Sequence, residues 1–113
     1  MNQVWNEYDT LKLVAVRDAE QAFASDARLD AEWQKLRFHA RPVLAEAMVE
    51  HQGFRNQLRS HGANLVELTG DASLTLDSIY TRDNIIISPR GLILCNMGRA
   101  SRTAEGPLNA QAY

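Results

Sequence analysis

The pattern of apolar and polar positions predicts a strand, two helices and a second strand up to residue 68. Residues 11–17 alternate apolar and polar side chains at first and then become rich in β-branched ones, as in a largely buried strand. Leu29, Trp33 and Leu36 recur at helical spacing and predict a short helix. Residues 18–24 carry a weaker pattern and could form a loop or a short helix.

The residues that start and end the two helices can also be read from the sequence. Asp26 is a plausible cap for the first helix. The second helix is longer, and its start and end are clearer. Pro42 suits the first turn of the second helix, and Gly62 suits its end. The predicted apolar face of this second helix comprises Leu44, Ala47, His51, Phe54 and Leu58. Residues 64–68 then alternate again, which predicts a strand.

The most apolar part of the chain predicts an antiparallel hairpin. Residues 84–88 and 91–95 form two apolar runs, and residues 88–91, Ser-Pro-Arg-Gly, fit a type I turn between them. Three consecutive isoleucines, residues 85–87, predict burial on both faces of their strand. A last helix is expected to start near Pro107.

Composition indicates one globular domain over residues 1–113. The chain is 45% hydrophobic and 23% charged, with a net charge of −2 and twelve scattered basic residues, so nucleic acid is not an expected partner. No apolar run approaches the roughly 18 residues that cross a bilayer, so no membrane contact is expected. Residues 1–7 lack the pattern of a secretion signal, and a single cysteine excludes an internal disulfide framework. These features predict a cytoplasmic protein.

The candidate chemistry lies in residues 74–83, directly before the hairpin. Asp77, Tyr80, Arg82 and Asp83 place two carboxylates, an arginine and an aromatic ring within seven residues. Carboxylates beside buried strands must be paired, hydrogen-bonded or ready for a cationic ligand, so the segment predicts a cation-binding site. Two structural alternatives stay open: Arg82 and Asp83 could form ion pairs at a sheet edge, and Asp77 could cap a turn.

The same segment resembles a known group of enzymes. Residues 77–83, the two apolar runs, the turn at residues 88–91, and then residues 97–102 and Glu105 resemble the first active-site segment of the guanidine-modifying superfamily. That superfamily contains arginine deiminases, dimethylarginine dimethylaminohydrolases and amidinotransferases. The chain would correspond to their amino-terminal portion only, and the Tyr-Thr-Arg-Asp sequence at residues 80–83 is the most specific part of the likeness.

The resemblance implies both a fold and a ligand. The fold would be of the α/β or α+β class, with partial ββαβ propeller-type units of the pentein fold and a mixed sheet flanked by helices. Asp83 would bind a guanidinium and Asp77 would help to hold the substrate, while the region of Arg99 and Arg102 would bind a substrate carboxylate. Tyr80 and Arg82 complete the predicted substrate-binding set, and the expected ligand is an arginine-like small molecule.

The chain departs from these enzymes in its chemistry. Their nucleophilic cysteine and acid–base histidine come from later segments, so no catalytic residue is assigned here. Cys95, inside the predicted hairpin, is expected to behave as a small hydrophobe. Structural roles are favoured for His39, His51 and His61. No cofactor is predicted, and no metal, because no His, Cys and carboxylate set has ligand spacing.

Two hypotheses for the function follow. In the first, the chain is a truncated amidinotransferase-like or deiminase-like domain that holds guanidinium-binding residues and is non-catalytic alone. In the second, it is a self-contained interaction or ligand-binding module. A partial propeller leaves sheet edges and apolar faces uncovered, so a homo-oligomer is expected, and a stable dimer or larger assembly would favour the second hypothesis over the first. Trp5 and Trp33 are expected to be packing anchors, and Arg99, Arg102 and Glu105 could be no more than a solvated helix start.

Overall fold

The structure is a computed structural model that describes residues 6 and 8–113. Its helices and strands, in chain order, are β1 (Leu13–Val16), α1 (Ala19–Phe23), α2 (Asp26–Glu32), α3 (Leu44–Ser60), β2 (Asn64–Glu67), β3 (Ile85–Ser88), β4 (Gly91–Leu94) and α4 (Glu105–Ala110), with 3₁₀ turns at Leu76–Ile79 and Ala100–Arg102. Together they form a compact mixed α/β domain. The predicted strands and helices occur in the predicted order, and α1 is a third helix between β1 and β2, where the sequence allows a loop or a short helix.

The strands form two separate pairs. β1 and β2 are parallel, in a register from Leu13 opposite Asn64 to Val16 opposite Glu67, and the three helices between them make the crossover that a parallel pair requires. β3 and β4 form the predicted antiparallel hairpin. A mixed sheet was expected, but within the described residues the parallel and antiparallel pairs belong to different two-stranded sheets, and no closed propeller is formed.

The apolar core lies where α1 and α2 meet the first 3₁₀ turn. Its buried members are Ala19, Ala22, Phe23, Leu29, Leu36 and Leu76. Residues 18–24, for which the sequence allows a loop or a short helix, contain α1 and supply Ala19, Ala22 and Phe23 to this core. Trp33 packs against this cluster as predicted, whereas Trp5 lies outside the described residues.

The helix starts differ in detail from the sequence prediction. Asp18 caps α1 by accepting from the Glu20 amide, and Ser25 caps α2 by accepting from the Arg28 amide at 3.2 Å. The prediction of Asp26 as the cap is wrong by one residue. Both side chains offer the oxygen that a helix N-terminus needs, and the backbone of Ser25 has the extended conformation of a cap.

α3 is an outer helix of 17 residues, none of them fully buried. Pro42 precedes the capping position at Val43, so its predicted place in the first turn is wrong. Gly62, with φ of +91°, follows the helix end and confirms the predicted stop. Phe54, expected on the apolar face, is 53% exposed. Only the first turns of this face meet the core.

The hairpin is less buried than its composition suggests. Ile85 is buried, but Ile86 is 55% and Ile87 41% exposed, so the predicted burial on both faces is wrong. The reason is that α4 is the element packed against β3 and β4 and cannot cover both faces of the pair.

In the described part of the chain, none of the helices has the length and apolar character that crossing a bilayer would require.

Candidate functional site

A cleft of about 680 Å³ brings together most of the predicted site residues. Three segments far apart in sequence form its walls: residues 36–40, residues 77–83 and residues 97–102. Asp77, Tyr80, Asp83 and Arg102 line it. Arg82, the fifth predicted residue, is exposed and lies outside this wall.

The Tyr-Thr-Arg-Asp segment and the 3₁₀ turn before it are held in place by contacts with β1, α1 and α2. The Thr81 hydroxyl donates to the Ala15 carbonyl of β1 at 3.1 Å, which anchors the segment to the parallel pair. The preceding 3₁₀ turn packs against α1 and α2 and so sets the position of Asp77. Tyr80, by contrast, is 58% exposed and presents its ring at the surface.

Asp77 is a buried carboxylate held by a partly exposed arginine. Its residue is 7% exposed, and its Oδ2 accepts from Arg99 Nη1 at 3.2 Å. The same Nη1 donates to the Leu36 carbonyl at 2.9 Å, which ties the segment around residue 99 to the chain after α2. The proposed turn-capping role of Asp77 is not the contact observed, because its carboxylate is used for this ion pair.

The Asp83 carboxylate binds the guanidinium of Arg102 in bidentate geometry. Arg102 Nη1 donates to Oδ2 at 2.8 Å and Nη2 donates to Oδ1 at 3.0 Å. This pairing holds the pKa of Asp83 below its usual range. The ion-pair alternative raised from the sequence is thus realised for Asp83, with Arg102 as its partner. The Asp83 side chain remains 48% exposed to the cleft and solvent.

Glu105 forms an ion pair with the other edge of the Arg102 guanidinium. Its Oε2 and Oε1 accept from Arg102 Nε and Nη2, each at 2.8 Å, while Asn84 Nδ2 donates to Oε1 at 3.2 Å. Glu105 is fully buried, so the expectation of a solvated helix start at Arg102 and Glu105 is wrong. The hydrogen bonds that Arg102 donates to Glu105 and then to Asp83 outweigh the effect of burial and raise the pKa of Arg102.

Residues 36–40 were not predicted to belong to the site. Arg37 and His39 line the cleft, although they lie about 40 residues before Asp77 in the chain. A helix end rich in basic and aromatic residues carries no local signal for a ligand site. Only packing of the turn after α2 beside Arg99 brings this segment to the cleft.

The cysteine and the other two histidines lie elsewhere. Cys95 is half-buried beyond the end of β4, with Sγ 4.0 Å from the Ile93 carbonyl, and it is not part of the cleft wall. His51 sits on α3 with its ring edge-on to Phe54. His61 approaches the Gln57 carbonyl at 2.8 Å at the end of the same helix.

Within the described residues, no group of three or more histidine, cysteine or carboxylate side chains is placed to hold a metal ion. Comparisons with protein-family models, with curated protein sequences and with solved structures give no match.

Proposed function

We propose that this chain is a guanidinium-binding domain, equivalent to the amino-terminal portion of a guanidine-modifying enzyme and non-catalytic by itself. The observation that carries the proposal is that four of the five residues chosen from the sequence line one cleft, in which both carboxylates already hold an arginine guanidinium. A ligand with the same head group would find carboxylate acceptors of the right type.

Ligand binding would proceed by exchange at Asp77. The Arg99 side chain is 47% exposed, so its ion pair with Asp77 is weak enough to be released. An incoming guanidinium would take its place, because leaving the buried carboxylate without a partner is costly. Asp83 would stay paired with the buried Arg102 and offer its exposed lone pairs to the far side of the ligand.

The position of Cys95 supports a binding role without turnover. Attack on a guanidinium carbon needs a thiolate beside that carbon. The chain's single cysteine is outside the cleft. His39 in the cleft wall could exchange a proton but has no nucleophile to serve.

The experiment is calorimetric titration of arginine into the wild-type chain and into Asp77→Asn. The variant keeps the shape of the side chain and removes its charge, so arginine affinity should fall by about 10- to 100-fold. Asp71→Asn, at an exposed carboxylate outside the cleft, is the matched control and should bind as the wild type does.

Two results would contradict the proposal. If the wild-type chain binds no arginine, methylarginine or agmatine at millimolar concentration, the binding role is wrong. If the purified chain converts arginine or methylarginine to citrulline, the non-catalytic part is wrong. Melting temperatures of both variants must accompany the titrations, so that lost binding is separated from lost folding.

A second candidate function, a self-associating interaction module, is favoured by the hairpin. Ile86 and Ile93 are cross-strand neighbours on one face and are 55% and 54% exposed. A two-stranded sheet is marginally stable alone, and a second copy laid against this face would bury the pair.

Light scattering on the wild-type chain and on Ile86→Thr/Ile93→Thr tests this second candidate. Threonine keeps the β-branched shape that suits a strand while removing apolar surface. A wild-type dimer that the double substitution converts to monomer would support self-association. A wild-type chain that stays monomeric at high concentration would contradict it.

A further inference from the structure

A second cavity, of about 340 Å³, lies at the carboxyl ends of the two parallel strands. Arg17 follows β1 directly, residues 67–71 end β2 and continue beyond it, and Leu108, Gln111 and Ala112 supply the rest of the wall. None of the described residues lines both this cavity and the cleft. The carboxyl ends of parallel strands are where open α/β sheets bind small ligands, so this cavity is a separate candidate site.

Arg17 is a wall residue of this cavity and is only 1% exposed. Its Nε donates to the Thr69 carbonyl at 3.1 Å and its Nη1 to the Ser78 carbonyl at 2.8 Å. Its Nη2 donates to Oδ1 of Asn109. All three acceptors are uncharged, and no carboxylate of the described residues forms an ion pair with Arg17.

A buried guanidinium without a counter-ion is unusual, because arginine is rarely fully buried unless it is paired and an uncompensated buried charge is costly. Burial lowers the pKa of Arg17, and the nearby charge of Glu105 offsets this only in part. Glu105 is itself in an ion pair with Arg102. The described residues thus supply Arg17 with hydrogen bonds but not with an anion.

Donor groups around Arg17 also remain without acceptors. A guanidinium has five N–H groups, and the described residues accept from three of those of Arg17, which leaves one on each terminal nitrogen. Nδ2 of Asn109 belongs to the same amide that accepts from Arg17, and it is buried with no hydrogen-bond partner in the described part of the chain. Buried donors without acceptors are costly, so ligand oxygens would be favourable partners here.

The rest of the wall determines which kind of anion fits. Leu68, Leu108 and Ala112 are apolar, so the ligand should carry a short apolar part. Glu67 and Asp71 contribute two exposed carboxylates, which repel a doubly charged anion more strongly than a singly charged one. A carboxylate matches the planar guanidinium better than a spherical ion does.

We propose that this second cavity binds a small monocarboxylate with a short apolar chain, and that the carboxylate of this ligand is the counter-ion of Arg17. The carboxylate would accept from the remaining N–H groups of Arg17, and the chain would lie against Leu68 and Leu108. The inference is independent of the proposed guanidinium-binding function, because it uses none of the residues that line the cleft.

The test is thermal unfolding of the wild-type chain in sodium butyrate, with butyramide and sodium chloride as matched comparisons. Butyramide has the shape of butyrate without its charge, and sodium chloride supplies the same ionic strength. With a dissociation constant of about 1 mM, butyrate at about 50 mM should raise the melting temperature by at least about 4 °C. Butyramide and sodium chloride should each raise it by less than about 1 °C.

Calorimetric titration tests the apolar part of the ligand. Butyrate has two more methylene groups than acetate to bury against the apolar wall, so it should bind about tenfold more tightly. Inorganic phosphate, which is partly doubly charged at pH 7, should bind more weakly than butyrate.

Three variants locate the binding. Arg17→Met should lose the response to butyrate. Ala112→Glu keeps the contacts of Arg17 and adds a carboxylate to the cavity wall, so butyrate affinity should fall at least about tenfold. Ala45→Glu makes the same change at an exposed position of α3, outside the cavity, and should respond as the wild type does. Arg37→Gly removes a guanidinium from the cleft wall, at a φ of +64° that suits glycine, and should also respond normally.

The outcomes separate this inference from the alternatives. Stabilisation by butyrate that butyramide does not share and that Ala112→Glu removes would support it. No effect of butyrate beyond that of sodium chloride would overturn it, and equal affinities for butyrate, acetate and phosphate would overturn the ligand class. A response that persists in Ala112→Glu and is lost in Arg37→Gly would assign the binding to the cleft and overturn it as well. Arginine is absent from all these measurements, so their failure leaves the proposed function untouched.

Discussion

Replacing Arg102 by methionine tests whether the buried ion cluster holds the second half of the domain together. Arg102 is 8% exposed and bridges Asp83, Glu105 and the Tyr80 carbonyl. Methionine would leave Glu105, which is fully buried, with the Asn84 amide as its remaining side-chain donor. α4 would lose its link through Arg102 to Tyr80 and Asp83, which lie between the first 3₁₀ turn and β3.

The expected loss follows from which partner is left behind. Removing one member of a buried ion pair leaves an uncompensated charge and costs about 3–5 kcal/mol. Asp83 adds about 1 kcal/mol or less, because its side chain is 48% exposed and water can replace the arginine. Arg102→Met should therefore lower the free energy of unfolding by about 3–5 kcal/mol.

Urea denaturation followed by tryptophan fluorescence measures this loss. The double variant Arg102→Met/Glu105→Met removes both buried charges and should recover at least about 2 kcal/mol of the single-variant loss. Arg41→Met, which breaks a surface pairing with Asp26 and Asp30, is the control and should leave the urea midpoint nearly unchanged. A single-variant loss below about 1 kcal/mol, or a double variant no more stable than the single one, would refute the reasoning.

Four further predictions concern pH and glycine. Pairing with Arg102 lowers the pKa of Asp83 below its ordinary 3.8. The stability from this pair is therefore present above pH 3.8 and is lost as the pH falls through the lowered pKa. The Asp83→Asn variant should flatten this part of an acid unfolding curve. Burial lowers the pKa of His51, so stability should decline as the pH drops below 6.5 and level off beneath the lowered value, and thermal melts of His51→Gln should lack this decline. Gly53→Ala, with no atom within 4 Å of the added methyl, should stabilise α3 by about 0.5–1 kcal/mol in urea titrations, whereas Gly70→Ala would place Cβ 2.6 Å from the Gln21 carbonyl and should destabilise by about 1–3 kcal/mol.

Local sequence patterns were sufficient to predict every element except α1, because each pattern reports on a few adjacent residues. The turn sequence at residues 88–91 correctly predicted the hairpin, and the glycine after α3 correctly predicted where that helix ends. The alternation at residues 64–68 produced β2. Periodicity and turn chemistry act over a single element, so they need no knowledge of the rest of the fold.

Which faces became buried depended on partners that lie far away in the chain. The composition of residues 85–87 indicates burial, yet Ile86 and Ile87 are exposed because the described residues supply one packing element for the hairpin. Glu105 looks like a surface residue in the sequence and is fully buried, since Arg102 neutralises its charge and Asn84, 21 positions earlier, donates a hydrogen bond to it.

The candidate site was likewise only half determined by the sequence. The carboxylates Asp77 and Asp83 were found because they share one short segment with an aromatic ring. Arg99 and Arg102 were expected in the site from the family resemblance, whereas Arg37 was not, and the bond from Arg99 to the Leu36 carbonyl beside Arg37 spans 63 positions. The sequence by itself determined which short stretches could carry charge and regular structure. Only the tertiary structure decided which of them meet, because burial and charge pairing depend on contacts between segments that no local pattern records.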